Sequence, residues 1–470
     1  MDVSLCFDTE DYTSPEKWGM DDIPKWLSEI MTEEDVVGSF LVIGHKARSL
    51  RERKRTDVIA AMRKHEIGLH TNFGSDHPTL TEALAPLEWK ESMKHALERE
   101  GPGYRDLEAI FRTNIGSFSA HGASQTASMH AVAGRSFDRP WLYSFATGEQ
   151  DLCWYADCFQ FTGKGLGINE ASYSNPDAVT RTLEKWEQKV PELIKSGHRW
   201  ACIFMAHPLM IRCKQFNDAL NYADGKNRWP WRTPEIRTAE EMKIAKTQFR
   251  RVVRWIKNHP DLNVLPLYES FRKYGKRKRA IGRSELAEFV AKAVTHQSIP
   301  VGFPFSPAEG LLAMAEDVAA RKLAPRHAIR PVFGPTDESP RMPDNALDWL
   351  NEDALRTLAG LLLSTTEQSG HLPTALPPPG GTGRMGLPTI FHALAGAWNQ
   401  LDSGKKSPRV RVLHICGRYP ERASEVEARA RSAWLNWPIH DLHMPLEKIS
   451  RDARLQTWTW KSAGRTNDER

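Results

Sequence analysis

From residue 1 to about 270, short apolar runs rich in β-branched and aromatic residues alternate with amphipathic stretches of helical period, which predicts an α/β fold. Strands are predicted at 3–8, 38–44, 65–70, 109–114, 141–145, 158–162, 200–206 and 262–267. Helices are predicted between them at 23–31, 57–63, 86–99, 178–195 and 239–257. Such a series of units fits a complete or incomplete (β/α) barrel better than an open sheet. Lys276-Arg277-Lys278-Arg279 then interrupts the pattern just beyond Tyr274-Gly275, dividing the chain into domains 1–275 and 281–470. This basic run reads as a solvated linker, with polyanion binding as the sharper alternative.

The second domain is predicted to be mainly helical. Ser306-Pro307-Ala308-Glu309 combines a capping serine, proline at the first helical position and glutamate at the third, ahead of Leu311-Leu312-Ala313-Met314. Asn351-Glu352-Asp353 and Leu387-Pro388-Thr389 open two more helices, and 284–294 supplies another, with recurrent Leu-Ala pairs that hint at a degenerate repeat. Pro377-Pro378-Pro379-Gly380-Gly381 predicts a loop, and 409–415 a late strand.

Composition narrows the class. The 470 residues carry 64 basic and 59 acidic side chains, a net charge of +5, too little for binding driven mainly by phosphate neutralisation, so nucleic acid is not expected as a partner. Hydrophobic residues make up 40% and charged residues 26%, as in globular domains. Cys6, Cys153, Cys158, Cys202, Cys213 and Cys416 are scattered too widely for a disulfide scaffold and are expected to be mostly reduced thiols. No apolar run is long enough to span a membrane and no export signal precedes the first strand, so a cytoplasmic location is expected.

The chemistry gathers at predicted strand ends, where barrel active sites form. Asp8-Thr9-Glu10-Asp11 closes the first strand with carboxylates that repel one another unless a cation lies between them. His65 and His70 are five apart on a strand, not four apart on a helix, and so do not form a zincin motif. His70 and the loop residue His77, with a first-strand carboxylate, would supply nitrogen and oxygen ligands to a metal. His207 follows the apolar strand Ile203-Phe204-Met205-Ala206 and suits a general acid. Arg112 ends the predicted fourth strand, where it could orient a carboxylate, and His121, which opens the next loop His121-Gly122-Ala123-Ser124, is a further candidate catalytic residue.

Phe7-Asp8-Thr9-Glu10-Asp11, Gly38-Ser39-Phe40-Leu41-Val42-Ile43-Gly44, His65-Glu66-Ile67-Gly68-Leu69-His70-Thr71, His77-Pro78 and the late strand with His207 resemble, in this order, the motifs of the polysaccharide deacetylase superfamily. The resemblance covers about residues 1–270 and implies a distorted (β/α)7 barrel holding one divalent metal, usually zinc or cobalt. It implies Asp8 as catalytic base, Glu10 or Asp11 with His70 and His77 as metal ligands, His207 as general acid and Arg112 as the holder of the base. Six residues separate His70 from His77, so His77 would reach the metal through a bulge near Gly74, or Asp76 would replace it.

The expected function is a metal-dependent hydrolase that removes an acyl group, above all N-acetyl, from a carbohydrate or related amide. Two alternatives are a glycoside hydrolase using two of Asp8, Glu10, Asp11 and Asp157, and a catalytically degenerate barrel that binds a carbohydrate or a partner. Among the 16 tryptophans, Trp154, Trp229 and Trp231 lie in predicted barrel loops, where flat rings could stack on sugars. The C-terminal domain is expected to be an accessory module.

Overall fold

The computed structural model describes residues 1–121, 125–148, 152–162, 165–340, 348–413, 417–435, 439–441 and 443–463. The chain forms two compact units. The first comprises Met1–Leu152, Cys158–Gly275 and Arg431–Leu446, and the second Cys153–Asp157, Lys276–Ala430 and Glu447–Arg470. The chain changes unit at Gly275 and Lys276, and two segments, Cys153–Asp157 and Arg431–Leu446, also cross between the expected domains 1–275 and 281–470. Arg431–Leu446 belongs with the first unit, where Ile439 accepts a backbone hydrogen bond from Gly225 and the Asp441 amide donates to Glu82.

The first unit is mixed α/β. Its strands are β1 (Asp2–Thr9), β2 (Ser39–Val42), β3 (Glu66–Leu69), β4 (Phe118–Ser119) and β5 (Trp141–Leu142). After β6 (Cys153–Tyr155), which is counted with the second unit, come β7 (Cys158–Gln160), β8 (Gly165–Gly167), β9 (Trp200–Ala206) and β10 (Asn263–Val264). In space the order is β7-β5-β4-β3-β2-β1-β9-β8, every recorded neighbour pair parallel, with β10 beside the start of β1. The sheet curls into a half-barrel. Every residue of β1 is buried, as expected of a central strand covered on both faces.

Helices α1 (Asp22–Glu33), α2 (Gly44–Glu52), α3 (Thr56–Met62), α4 (Leu80–Leu84), α5 (Trp89–Phe111), α6 (Ala127–Ser136), α7 (Pro176–Lys195), α8 (Pro208–Arg212), α9 (Asn217–Asn221), α10 (Ala239–Asn258) and α11 (Leu267–Tyr274) connect or cover the strands. The core joins both layers: Leu5 and Phe7 of β1, Phe40 of β2 and Ile67 of β3 pack with Leu27 of α1, Leu107 of α5 and Phe249 of α10.

One predicted element is corrected. Residues 109–114 were expected to form a strand, but α5 runs through Gly101-Pro102-Gly103 to Phe111 and Arg112 caps it in the left-handed region at φ 52°. A glycine-proline pair ordinarily ends a helix. Here tertiary packing overrides that rule. A Cβ on Gly103 would stand 2.7 Å from the Asn72 side chain, so the glycine leaves room for Asn72, whose amide donates to the Arg99 carbonyl at 2.7 Å. The fourth strand is instead Phe118–Ser119, seven residues beyond Phe111.

Register sets the rim. Thr9 pairs with Val42, Val42 with Leu69, Leu69 with Phe118 and Phe118 with Trp141, so the residues just past these positions form one layer at the C-terminal strand ends. A register shift between Cys6 and Phe7 brings Ala206 opposite Phe7 and delivers His207 to the same rim.

The second unit contains the helices Arg283–His296, Pro307–Ala320, Glu352–Ser369 and Leu387–Asp402 around Phe289, Leu311, Met314, Leu358, Phe391 and Leu394. The Ser306 and Glu309 capping box forms, and the Asn351 side chain accepts from the Ala354 amide. The predicted late strand is Val410–Arg411, and 414–415 lies outside the described residues. Cys6, Cys153, Cys158, Cys202 and Cys213 are buried, and Cys416 lies outside the described residues. Among the described residues no helix is long and apolar enough to cross a membrane.

Candidate metal centre

The rim gathers side chains from distant parts of the first unit. Glu10, one residue past β1, is nearly fully buried, and its Oε1 lies 3.1 Å from His70 Nε2 and 3.2 Å from His121 Nδ1. His207 Nε2 approaches from the other side, 3.8 Å from Glu10 Oε1 and 3.9 Å from Asp8 Oδ2. His70 Nε2 is also 3.9 Å from Asp8 Oδ2. Two overlapping sets, Glu10 with His70 and His121, and Asp8 and Glu10 with His207, bring their ligand atoms within 4.8 Å of one another.

Each histidine turns one ring nitrogen toward these carboxylates while the other is held from behind. His70 Nδ1 hydrogen-bonds the Ser119 hydroxyl at the end of β4. His121 Nε2 donates to Asp218 Oδ2 of α9 at 2.7 Å, and the Ser75 hydroxyl donates to the same oxygen. His207 Nδ1 donates to Glu170 Oε1 at 2.6 Å, which also accepts from the His207 backbone amide. Such outer partners fix ring orientation and aim the inner nitrogen at the carboxylates.

The inner atoms lack what they need. Asp8 Oδ1, Glu10 Oε2 and His121 Nδ1 are buried without a hydrogen-bond partner among the described residues. Leaving several such groups dry costs about 1–3 kcal/mol each, so the donor set fits a divalent cation in chemistry and in its unmet polar demand.

Electrostatics differ between the two carboxylates. Burial pushes Asp8 upward against the partly offsetting fields of His70 and His207. For Glu10 burial acts the same way, but the fields of His121 and His207 outweigh it and hold the carboxyl well below its ordinary range. Burial disfavours the charged form of His207, yet Glu10, Glu170 and Asp8 push it up to about 9. His121 is likewise held well above its ordinary value, with Glu10 and Asp218 overcoming burial.

The structure brings together Asp8, Glu10, His70, His121 and His207. It does not bring Asp11, His77 or Arg112 to them. Asp11 Oδ1 instead closes a turn by accepting from the backbone amides of Thr13 and Ser14 and from the Thr13 hydroxyl. His77 has both ring nitrogens engaged, Nδ1 2.7 Å from Glu82 Oε2 and Nε2 2.8 Å from the Tyr222 carbonyl. Glu82 is the capping-box residue of α4, so His77 belongs to the start of that helix. Asp76 accepts from the Tyr12 hydroxyl and faces His45. Arg112 is exposed at the end of α5.

His121 was expected to serve catalysis from a loop and stands among the metal-ligand candidates; residues 122–124 lie outside the described residues. Sequence reasoning missed Ser119, Glu170 and Asp218. The signal for the first was Phe118-Ser119-Ala120-His121, an apolar-polar alternation ending in histidine, as 67–70 does. Asp157, offered for a carboxylate-pair mechanism, is bonded to Arg277.

Comparison with protein-family models and with curated proteins returns no match. Among solved structures, the chain is similar to a putative polysaccharide deacetylase from Mycobacterium smegmatis, at 14% identity and TM-score 0.35 over 58% of this chain and 89% of that one. It is also similar to a family 4 acetyl xylan esterase from Clostridium thermocellum in complex with a cobalt ion, at 14% identity and TM-score 0.31 over 58% and 92%. A third is BA3943, a CE4 family pseudoenzyme from Bacillus anthracis, at 14% identity and TM-score 0.29 over 56% and 63%, so the match spans less than two thirds of that protein's length.

Proposed function

We propose that the chain is a metal-dependent hydrolase of the polysaccharide deacetylase type, removing an acyl group, above all N-acetyl, from a carbohydrate. The observation that carries this reading is the set of three histidines, each anchored behind by Ser119, Asp218 or Glu170 and each facing Glu10 with its inner nitrogen. Glu10, His70 and His121 would hold a divalent cation, which would polarise the acyl carbonyl and make the attacking water more acidic. Asp8, beside them with Oδ1 unpartnered among the described residues, is placed to accept the proton of the attacking water. His207, whose charged form its carboxylate neighbours favour, is placed to donate to the departing amine, and Glu170 holds it in place.

The carbohydrate assignment draws on the rim as well. Trp229 is 70% exposed and lies 4.0 Å between ring centres from Trp231, which in turn lies 5.0 Å from Tyr222. Asn221 clamps this loop through both its amide and its carbonyl, bonding to Arg232 on one side and Arg228 on the other. An exposed ring backed by a half-buried one suits the apolar face of a sugar. Trp229→Ala is expected to raise KM for an N-acetylglucosamine oligomer by about three- to tenfold with kcat little changed, since such a contact contributes about 0.5–1.5 kcal/mol. Steady-state kinetics on tetramer and hexamer check it.

The reading as a whole is tested by metal content and acetate release, measured on the purified protein beside His70→Ala. About one divalent metal per chain, lost in the variant together with acetate release, is the expected result. New reducing ends without acetate would support the glycoside hydrolase instead, and a metal-free protein active under chelation would end the proposal.

A further inference from the structure

We infer, on the hydrolase reading in which Asp8 and His207 move protons, that the rim binds a second and weaker divalent cation at Asp8, Glu10 and His207, and that this ion stops hydrolysis when divalent metal is in excess. The five donors divide into two sets that meet at Glu10.

In the inner set, His70 Nε2 and His121 Nδ1 stand 3.1 and 3.2 Å from Glu10 Oε1, and all three side chains are at most 3% exposed. In the outer set, His207 Nε2 stands 3.8 Å from Glu10 Oε1 and 3.9 Å from Asp8 Oδ2, and the His207 side chain is 22% exposed. Two donors that are each about 2.0–2.2 Å from one ion stand about 3–4 Å apart, so both sets can close on a cation. The inner set is the tighter of the two, and the exposure of His207 gives the outer set a route to solvent. Glu170 Oε1, 2.6 Å from His207 Nδ1, keeps that ring aimed with Nε2 at the two carboxylates.

Glu10 need not choose between the sets. Its Oε2 is buried without a hydrogen-bond partner among the described residues, and so is Asp8 Oδ1. An inner ion held through Glu10 Oε1 leaves both of these oxygens unmatched, and an unpartnered carboxylate oxygen away from water is costly. Charge points the same way. Glu170 lies behind His207 and Asp218 behind His121, so four carboxylates meet the three rings, and a single dication balances only two of them. Carboxylates that bridge two divalent ions are a recurring arrangement in hydrolytic sites, where both ions serve the reaction. Here the outer ion opposes it. That ion takes the Asp8 oxygens that would receive a proton from water and the His207 nitrogen that would pass one to the leaving amine, so a filled outer set leaves neither base nor acid.

Isothermal titration calorimetry of zinc into the full, metal-stripped chain, beside acetate release over the same zinc range, tests this. Two binding events are expected, the second at least about tenfold weaker than the first, with acetate release rising through the first and falling through the second. His207→Ala should keep the first event and lose the second. Glu170→Gln, which loosens the His207 ring, should weaken the second event by about 10- to 100-fold and leave the first unchanged. Retention of the first event shows that each variant is folded. A single event with turnover undiminished by excess zinc, or a second event that persists in His207→Ala, would overturn the inference and leave the hydrolase reading standing. Absence of any binding event in the parent would overturn both.

Discussion

Asp8→Asn is expected to reduce kcat for acetate release by about 10²- to 10⁴-fold, the range over which a positioned general base acts, while metal content and fold stay unchanged. The expectation follows from how the two first-strand carboxylates divide their contacts. Glu10 Oε1 is within 3.2 Å of both His70 and His121, close enough to share a cation with them. Asp8 stands back, 3.9 Å from His70 and from His207, with Oδ1 buried and unpartnered among the described residues. It is therefore placed to take a proton from a water rather than to complete the ligand set. Asparagine has the same shape and removes only the basicity, so packing beneath the rim is kept. Acetate release and metal content measured on one preparation separate the roles. Loss of metal in Asp8→Asn would move Asp8 into the ligand set, and full turnover would remove it from the mechanism.

Much of this arrangement was legible in the chain because parallel strands covered on both faces leave continuous apolar runs, and polar residues that end such runs stand at the rim. Asp8 and Glu10 after Leu5-Cys6-Phe7, His70 after Ile67-Gly68-Leu69 and His207 after Ile203-Phe204-Met205-Ala206 follow that rule, and β9 spans the predicted 200–206. The fourth strand escaped because it is only two residues long, too short for any periodicity, while the helix before it runs through a glycine-proline pair that local rules treat as a stop. Misplacing that strand moved Arg112 onto the rim and left His121 in a loop. The choice between Glu10 and Asp11 was not legible either, since it depends on Asp11 turning away to accept from Thr13 and Ser14. Asp218 and Glu170 reach the site from α9 and from a short turn before α7, and no sequence period announces a contact of that kind.

The choice of second histidine carries the other large effect. His121→Ala is expected to purify with almost no metal where the parent holds about one ion per chain, and His77→Ala is expected to keep it. A four-coordinate site that loses one of three protein ligands and gains only water loses most of its affinity, because the imidazole donor and its preset orientation go together. Orientation is what distinguishes the two rings. His121 is locked by Asp218 and Ser75 with Nδ1 turned to Glu10, whereas both nitrogens of His77 are spent on Glu82 and the Tyr222 carbonyl. Asp218→Asn tests the locking separately and should weaken metal binding by about 10- to 100-fold with the ligands intact. His77→Ala should instead lower thermal stability by about 1–3 kcal/mol, since it removes the bonds of His77 to the Tyr222 carbonyl and to Glu82, whose Oε2 keeps only the Thr79 amide, and that loss should be equal with and without metal. Metal content by mass spectrometry and melting curves with and without chelator read both effects. A His77→Ala protein without metal beside a His121→Ala protein that retains it would return the second ligand to the loop after β3 and leave His121 a structural partner of Asp218.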